Sequence, residues 1–491
     1  MTNREVSPTN AAAAKTLVSQ TVHHYLVAGR QELSGDVITL TSPWDDADSV
    51  RVAQSSLADV DASLAAAVEC RRTLADTTRA DRAAVLAGLA DLLTAHSDEF
   101  AELLVSEVGK TDSDARGEID RTVSTLRFAA EAAKSLVGDI LPLDAMPSAR
   151  GKFGYTLLEP IGVVVGIPAA NFPLLISAHK IAPAVGAGCP LVLKAPDRTP
   201  RVVVRFAELL VAAGWDPAGI SVLTGGPEIG DALVRDPRPR LISFTGSSAV
   251  GKIIADRAGF KRTLLELGSN AATIVTDSAD VEHAARRIAA GGFAAAGQSC
   301  ISVQRVYVHR SRRDELEERL VGLVGSLRVG SASMRDADIG PLLTEAAAER
   351  VEAIVNDARA SGAAVIIGGG RSGRFVEPTI VTDVTPEMRL HREEVFGPVV
   401  AIVTYDTFDE AIALANDSDY GLQAGIFTDS AAEAQRAARH LDVGGVHINE
   451  VSMWRADHMP YGGVKDSGFG KEGPAWAMRE MTVAKVVSWA S

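Results

Sequence analysis

The chain has 491 residues, 46% of them hydrophobic and 23% charged, with a formal charge of −14. That length supports two or three compact units with a real core, and the acidic balance excludes a nucleic-acid binder, which needs a basic face to meet phosphates. Three scattered cysteines, Cys70, Cys189 and Cys300, exclude a disulfide framework, and with no C-x-x-C pair no metal site is expected. The opening Met-Thr-Asn-Arg-Glu lacks the apolar core of a signal peptide. The most apolar strand-like run, 161–167, falls far short of the ~20 residues a membrane helix needs. A soluble, cytoplasmic protein without a membrane partner is therefore expected, with disorder confined to the polar, Ala-rich residues 1–19.

Helical periodicity dominates the first third. Residues 58–74, 79–94 and 98–108 place Leu, Val and Ala at helix spacing. Thr77 or Thr78, and then Ser97, offer caps, and Gly109 ends the third helix. A fourth helix, 112–137, alternates acidic and basic residues on its outer face, as a solvated scaffold helix does. Residues 140–158 then read as a hairpin outside the helical bundle. From Ile161 the rhythm changes: strands at 161–167, 191–194, 220–223 and 241–244 alternate with helices at 172–187, 201–213, 228–235 and 249–258. Short apolar strands joined by helices imply a parallel sheet covered on both faces. A second series has strands at 271–275, 303–309, 364–367 and 399–403. Two α/β units joined near Glu266 to Gly268 are the economical reading.

The G-x-G-x-x-G match Gly368-Gly-Gly-Arg-Ser-Gly373 follows an apolar run but leads into Arg-Phe-Val-Glu-Pro378. Without a helix N-terminus to receive a pyrophosphate it has no binding logic, and it reads as a surface turn. The clusters Leu223-Thr-Gly-Gly-Pro-Glu-Ile-Gly230 and Phe244-Thr-Gly-Ser-Ser-Ala-Val-Gly251 each run from a strand into a helix. Gly225 and Gly246 allow a tight turn close to a ligand, although such glycines also occur without one.

Cys300 sits in Gly297-Gln-Ser-Cys300-Ile, preceded by small and polar residues that suit an accessible turn. A free cysteine more often packs as an inert hydrophobe, which describes Cys70 and Cys189 well. Glu266 lies in the apolar run Thr263-Leu-Leu-Glu266-Leu-Gly-Ser-Asn270. Burial would raise its pKa toward that of a general base, whereas an edge-strand position would leave it facing water.

Seven motifs now stand in one order: Pro168-Ala-Ala-Asn171-Phe-Pro173, Lys194-Ala-Pro-Asp197, Phe244-Thr-Gly-Ser247, Leu265-Glu266-Leu-Gly268, Gly297-Gln-Ser-Cys300, Glu393-Glu394-Val-Phe396-Gly-Pro398 and Pro460-Tyr-Gly-Gly-Val-Lys465-Asp-Ser-Gly468. In these the chain resembles the aldehyde dehydrogenase superfamily, from roughly Tyr25 to its end. The resemblance implies that fold: two Rossmann-like parallel-sheet domains plus a β oligomerisation arm. It assigns 1–137 and 159–266 to cofactor binding, 267–470 to the catalytic domain, and 138–158 with 471–491 to the arm. It implies an NAD(P)-dependent oxidation of an aldehyde to an acid. Cys300 would attack the aldehyde, the Asn171 amide and the Cys300 N–H would hold the oxyanion, and Glu266 would activate the water that hydrolyses the thioester. The implied cofactor contacts are Ile167, Pro168, Lys194, Asp197, Gly225, Gly230, Phe244, Thr245, Gly246, Ser247, Gly251, Leu267, Glu394 and Phe396.

Two departures matter. Ala169-Ala170 precede Asn171 where many members carry an aromatic residue, so one wall of the site is smaller. Asp197 replaces the commoner Glu of Lys-Pro-x-Glu; its charge favours NAD, and NADP stays open because Lys194 and Arg198 lie close by. The run Val451-Ser-Met-Trp454-Arg455-Ala-Asp457-His458 resembles the branch that handles lactaldehyde, phosphonoacetaldehyde, sulfolactaldehyde and non-phosphorylated glyceraldehyde-phosphate oxidation. A small aliphatic substrate, hydroxylated or anionic, is expected, with Trp454 at the mouth and Arg455 clamping the anion. The alternative role of Arg455 is a structural pair with Asp457 or another acid. Two rival functions are a CoA-acylating semialdehyde dehydrogenase, which lacks the water-activating Glu, and a catalytically silent relative. No G-x-S-x-G elbow supports a serine hydrolase. The resemblance also implies a homodimer or homotetramer built through 140–158 and 482–489.

Overall fold

The computed structural model describes residues 21–33, 36–45, 49–330 and 337–490. The expected disorder of residues 1–19 lies outside that range. The early helices fall at Leu57–Ala75, Arg79–Ala95, Ser97–Val108 and Asp112–Lys134. Their starts are set locally: Ser56 and Asp59, then Thr78 and Asp81, form reciprocal capping boxes, and Gly109 closes the third helix at φ 81°. Ser97 is the first helical residue rather than a cap; His96 takes the cap position without a side-chain bond.

Two sheets carry the molecule. The first has eight strands in the order Gly468–Phe469, Arg262–Glu266, Leu241–Thr245, Val164–Ile167, Leu191–Lys194, Ile220–Leu223, Tyr25–Val27 and Arg30–Glu32. Its five central strands are parallel, with antiparallel pieces at both edges. The expected strand 161–167 begins only at Val164. The Ile161 N–H is taken by the Met481 carbonyl at 2.9 Å, and Gly162 turns the chain at φ 121°. The second sheet has seven strands, ordered Ala364–Ile367, Thr379–Thr382, Val399–Tyr405, Arg305–His309, Ala272–Val275, Gln423–Phe427 and Gly445–Ile448, with only Ala364–Ile367 antiparallel. Gly368 to Gly370 turn between short strands, and no helix opens there.

Burial explains the pattern. Helices cover one face of the first sheet with a large core that includes Leu86, Phe100 and Phe206, and the other face holds a smaller core around Leu64, Ile242 and Leu265. The second sheet carries its own core around Tyr307, Val400 and Phe427. A third sheet pairs Thr482–Trp489 along the full length of Phe153–Pro160, with Ile140–Leu141 beyond. Within the stretch 471–491 expected in the arm, Pro474–Glu480 is instead a helix, and Met478 and Met481 are buried in the first core. Apolar area at those two residues outweighs any role in an extended arm. Among the described residues no helix is long and apolar enough to cross a membrane.

Candidate active site

The order of the first sheet fixes where a ligand can sit. The chain lays down Val164–Ile167, Leu191–Lys194 and Ile220–Leu223 in one direction, then returns to place Leu241–Thr245 and Arg262–Glu266 on the other side of Val164–Ile167. Loops leaving two neighbouring parallel strands in opposite directions open a crevice at their carboxyl ends. Ile167, Pro168, Lys194, Thr245, Gly246, Ser247, Glu266 and Leu267 all lie at that end. The helix Ser248–Ala258 starts there, with Ser247 as its cap. A Cβ on Gly246 would lie 2.4 Å from the Phe244 ring, and one on Gly251 would lie 2.5 Å from Leu267. Both glycines are thus required for the close packing that leaves room for a ligand backbone.

Not every expected cofactor residue belongs to this rim. Gly225 turns the chain after Ile220–Leu223 at φ 130°, but Gly230 lies inside the helix Pro227–Arg235 with open space around it. The Thr245 hydroxyl accepts a bond from the buried Lys180 ammonium at 2.8 Å. Lys194 is nearly buried and pairs with the more exposed Asp197 just beyond the strand. Glu394 and Phe396 arrive from the second unit. The Glu394 carboxylate accepts the Ser269 N–H at 2.9 Å, and Phe396 adopts a left-handed φ of 54°. Burial pushes the Glu394 carboxyl up to about 7, against the pull of the Ser269 N–H and Arg350.

Cys300 follows a strained turn. Ala295 and Ala296 are both left-handed (φ 50° and 55°), a conformation that disfavours L-residues by roughly 1–2 kcal/mol each, and Gly297 continues it at φ 69°. A Cβ on Gly297 would lie 2.1 Å from the Gly397 carbonyl oxygen, so the Cys300 turn and the Glu394–Phe396 loop are in backbone contact. The half-buried Cys300 sulfur lies 3.0 Å from the Tyr461 hydroxyl. Burial pushes the thiol up to about 12; the charges of Glu394 and Glu266 add to this, while Tyr461 and Arg455 oppose it. The Asn171 side-chain amide donates to the Gln298 carbonyl at 2.9 Å, two residues before the sulfur. Cys300, Asn171 and Glu266, far apart in sequence, therefore share one region.

Glu266 is buried rather than facing water, and neither carboxyl oxygen has a hydrogen-bond partner. Burial, then the neighbouring Glu472, raise its pKa well above the usual carboxyl range, against Arg455, Lys180 and Lys471. For Glu472 burial acts the same way, but His179, Arg455 and Lys180 outweigh it and hold the group below its ordinary value. The two acids are thus shifted in opposite directions, Glu266 up and Glu472 down.

Arg455 is fully committed inside this cluster. It pairs with Asp457 at 3.2 Å and Glu472 at 3.3 Å, bonds the His179 ring at 3.0 Å, and lies 3.8 Å above the Tyr461 ring. The structural pairing with Asp457 and Glu472 is thus present. Arg121, by contrast, forms a bidentate pair with Asp457 (2.8 and 2.9 Å) while its own side chain stays 35% exposed. Trp454 is half-exposed, with its ring 5.4 Å from that of His447. Sequence reasoning missed Lys180, Tyr461 and Glu472. Lys180 did leave a signal: a lysine in the middle of an otherwise apolar, buried helix is almost always paired for a reason.

A profile of the aldehyde dehydrogenase family matches residues 30–487. The chain belongs to the aldehyde dehydrogenase family. This aldehyde dehydrogenase is similar to 3-sulfolactaldehyde dehydrogenase of Priestia aryabhattai, with 41% identity over 462 residues, 94% of this chain and 96% of that protein. Aldehyde dehydrogenase 21 from Physcomitrella patens, solved with the reaction product succinate, superposes with a TM-score of 0.92 at 38% identity, over 95% of this chain and 98% of its own. NADP-dependent glyceraldehyde-3-phosphate dehydrogenase from Bacillus halodurans C-125, complexed with NADP, gives 0.93 at 35% identity, over 96% and 99%. The two-sheet architecture is the aldehyde dehydrogenase fold, and the chain is an NAD(P)-dependent aldehyde dehydrogenase.

Proposed function

We propose that this aldehyde dehydrogenase oxidises a small aldehyde bearing an anionic group to the corresponding acid, with Cys300 as nucleophile, Glu266 as base and NAD preferred over NADP. The observation that carries the reading is the meeting of a half-buried thiol and a buried carboxyl of raised proton affinity beside the switch point of the first sheet. Cys300 gives its proton to solvent, and Sγ bonds to the aldehyde carbon as the carbonyl π pair moves to oxygen. The carbonyl oxygen, now an oxyanion, is held by the Cys300 backbone N–H and by the second N–H of the Asn171 amide, donors worth roughly 3–4 kcal/mol each in such sites. The dinucleotide, when bound, accepts the hydride from that carbon. Glu266, once ionised, takes a proton from the water that attacks the thioester and returns it to sulfur as the S–C bond breaks, releasing acid and thiol.

Lys194 and Asp197 would hold the adenosine ribose, the turn from Gly246 to Gly251 the pyrophosphate, Glu394 the nicotinamide ribose, and Phe396 the ring. Asp197 opposes a 2′-phosphate by its charge, and its pairing with Lys194 softens that preference. For the substrate, the named ligands of the three relatives carry a sulfonate, a carboxylate and a phosphate. Arg455, paired with Asp457 and Glu472, and the partly exposed Arg121, paired with the same Asp457, are the guanidiniums offered to such a group, with Trp454 at the mouth. The arm leaves Ile140, Val486 and Trp489 exposed, which supports assembly through it into a homodimer or homotetramer.

The test is a NAD and NADP reduction screen over neutral and anionic small aldehydes, with Cys300→Ala and Glu266→Gln alongside. The expected result is reduction best with an anionic aldehyde and NAD, lost in Cys300→Ala, and unchanged by added CoA. Full oxidation by Cys300→Ala, or an acyl-CoA product, overturns the mechanism; light scattering reads the assembly.

A further inference from the structure

The helix Asp112–Lys134 was read from the sequence as a scaffold, yet its first turns touch both walls of the site. The helix Pro173–Ala187, which begins two residues after Asn171, has no side-chain cap of its own. Glu118 supplies one from outside. Its Oε1 accepts the Leu174 and Leu175 N–H groups at 2.9 and 3.0 Å, satisfying donors that a helix start leaves free. The other oxygen lies 2.6 Å from the Lys110 ammonium, and both side chains are buried. The same ammonium sits 3.4 Å above the ring of Phe172, the residue between Asn171 and the helix.

One turn earlier, Asp114 faces the other wall. It lines one small cavity with Lys110, Asn171, Gln298 and Ala295, the first of the left-handed residues that lead to Cys300; burial raises its carboxyl, while Lys110 and the Ala295 N–H pull it back toward the charged form. The Asn171 amide then closes the circuit by donating to Gln298 in that same turn.

We propose that Lys110, Asp114 and Glu118 are positioning residues that hold the segment carrying Asn171 and the turn carrying Cys300 in one fixed relation. Two strained alanines have no reason to stay left-handed on their own, and an uncapped helix start has no reason to keep its first residues in place. One helix end supplies both restraints, with Lys110 as the charge that lets two carboxylates stand four residues apart in a buried place. The inference rests on the assignment of Cys300 and Asn171 above.

The experiment compares wild type with Asp114→Asn, Glu118→Gln, Glu118→Asp and the double variant K110M/E118Q, which removes both charges together and serves if Glu118→Gln alone does not fold. Arg116→Gln, exposed on the same helix, is the control. Two readouts are taken: iodoacetamide alkylation of Cys300 against pH by peptide mapping, and kcat and KM with the best aldehyde of the screen. Glu118→Gln is expected to lower kcat at least tenfold with the cofactor KM within twofold, and Glu118→Asp to recover part of it. Asp114→Asn is expected to change the alkylation rate at least threefold while Arg116→Gln matches wild type. Equal alkylation in Asp114→Asn and wild type overturns the proposal whether or not any aldehyde turns over. So does a loss of kcat that merely follows a loss of folded protein and of cofactor binding. A wild type that oxidises no aldehyde but whose alkylation responds as stated leaves this proposal standing and sinks the functional one.

Discussion

Replacing Tyr461 by phenylalanine removes one oxygen and keeps the ring on which Arg455 lies. In the wild type that oxygen is 3.0 Å from the Cys300 sulfur and favours the thiolate. With burial pushing the thiol up to about 12, little thiolate is present at pH 8 before any substrate arrives. A hydrogen bond to a charged acceptor contributes about 1.5–3 kcal/mol. Losing it should raise the thiol by a further one to two pH units, roughly. The rate of Cys300 alkylation by iodoacetamide at pH 8, followed by peptide mapping without cofactor, should therefore fall on the order of 10- to 100-fold. Cys70 and Cys189 are buried out of the reagent's reach and serve as internal standards that stay unlabelled. A Tyr461→Phe protein that is alkylated within twofold of wild type, or faster, would refute the view that this hydroxyl sets the reactivity of the sulfur.

Glu266 binds its proton more tightly in the folded chain than in the unfolded one, so it withdraws stability as pH rises through the ordinary carboxyl value of 4.5. Glu266→Gln should thus melt higher than wild type at pH 8, with the difference closing by pH 4; a larger gain at pH 4 contradicts the sign. In Gly297→Ala the new Cβ meets the Gly397 carbonyl in a backbone at φ 69°. Both oxidation and cofactor binding should be lost, with destabilisation on the order of 2 kcal/mol or more by urea unfolding; wild-type cofactor affinity would show that the two loops are independent. Asp457→Ala strips Arg455 and Arg121 of a shared partner and should cost about 3–5 kcal/mol, since a buried guanidinium is left under-paired. An unchanged unfolding midpoint would mean that Glu472 alone suffices.

The strand–helix alternation after Ile161 was legible because each parallel strand, buried on both faces, reads as an unbroken apolar run. Val164–Ile167, Leu191–Lys194 and Ile220–Leu223 are of that kind. Thr379–Thr382, Gln423–Phe427 and Gly445–Ile448 escaped notice because threonine, glutamine, glycine and histidine interrupt them, although the first two are wholly buried. At the site, residue chemistry singled out Cys300 and Glu266, and Asn171 came from the family resemblance. The groups that set their protonation could not be read, because Lys180, Tyr461 and Glu472 come from a helix and from the loop segment that closes over Glu266, and only folding brings them together. Arg455 illustrates the limit. A guanidinium near the mouth suits an anion, and only the pairing with Asp457 and Glu472 reveals that its charge is already balanced.

The short strand Gly468–Phe469 leaves the second unit and pairs with Leu265 and Glu266 at the edge of the first sheet, where a Cβ on Gly468 would lie 1.9 Å from the Leu265 carbonyl oxygen. Cys300 belongs to one half of the chain and Glu266 to the other, and this stitch fastens them across the seam. Neither half, made separately, contains both side chains, and any rocking of one against the other must first pull on the strand that carries Glu266.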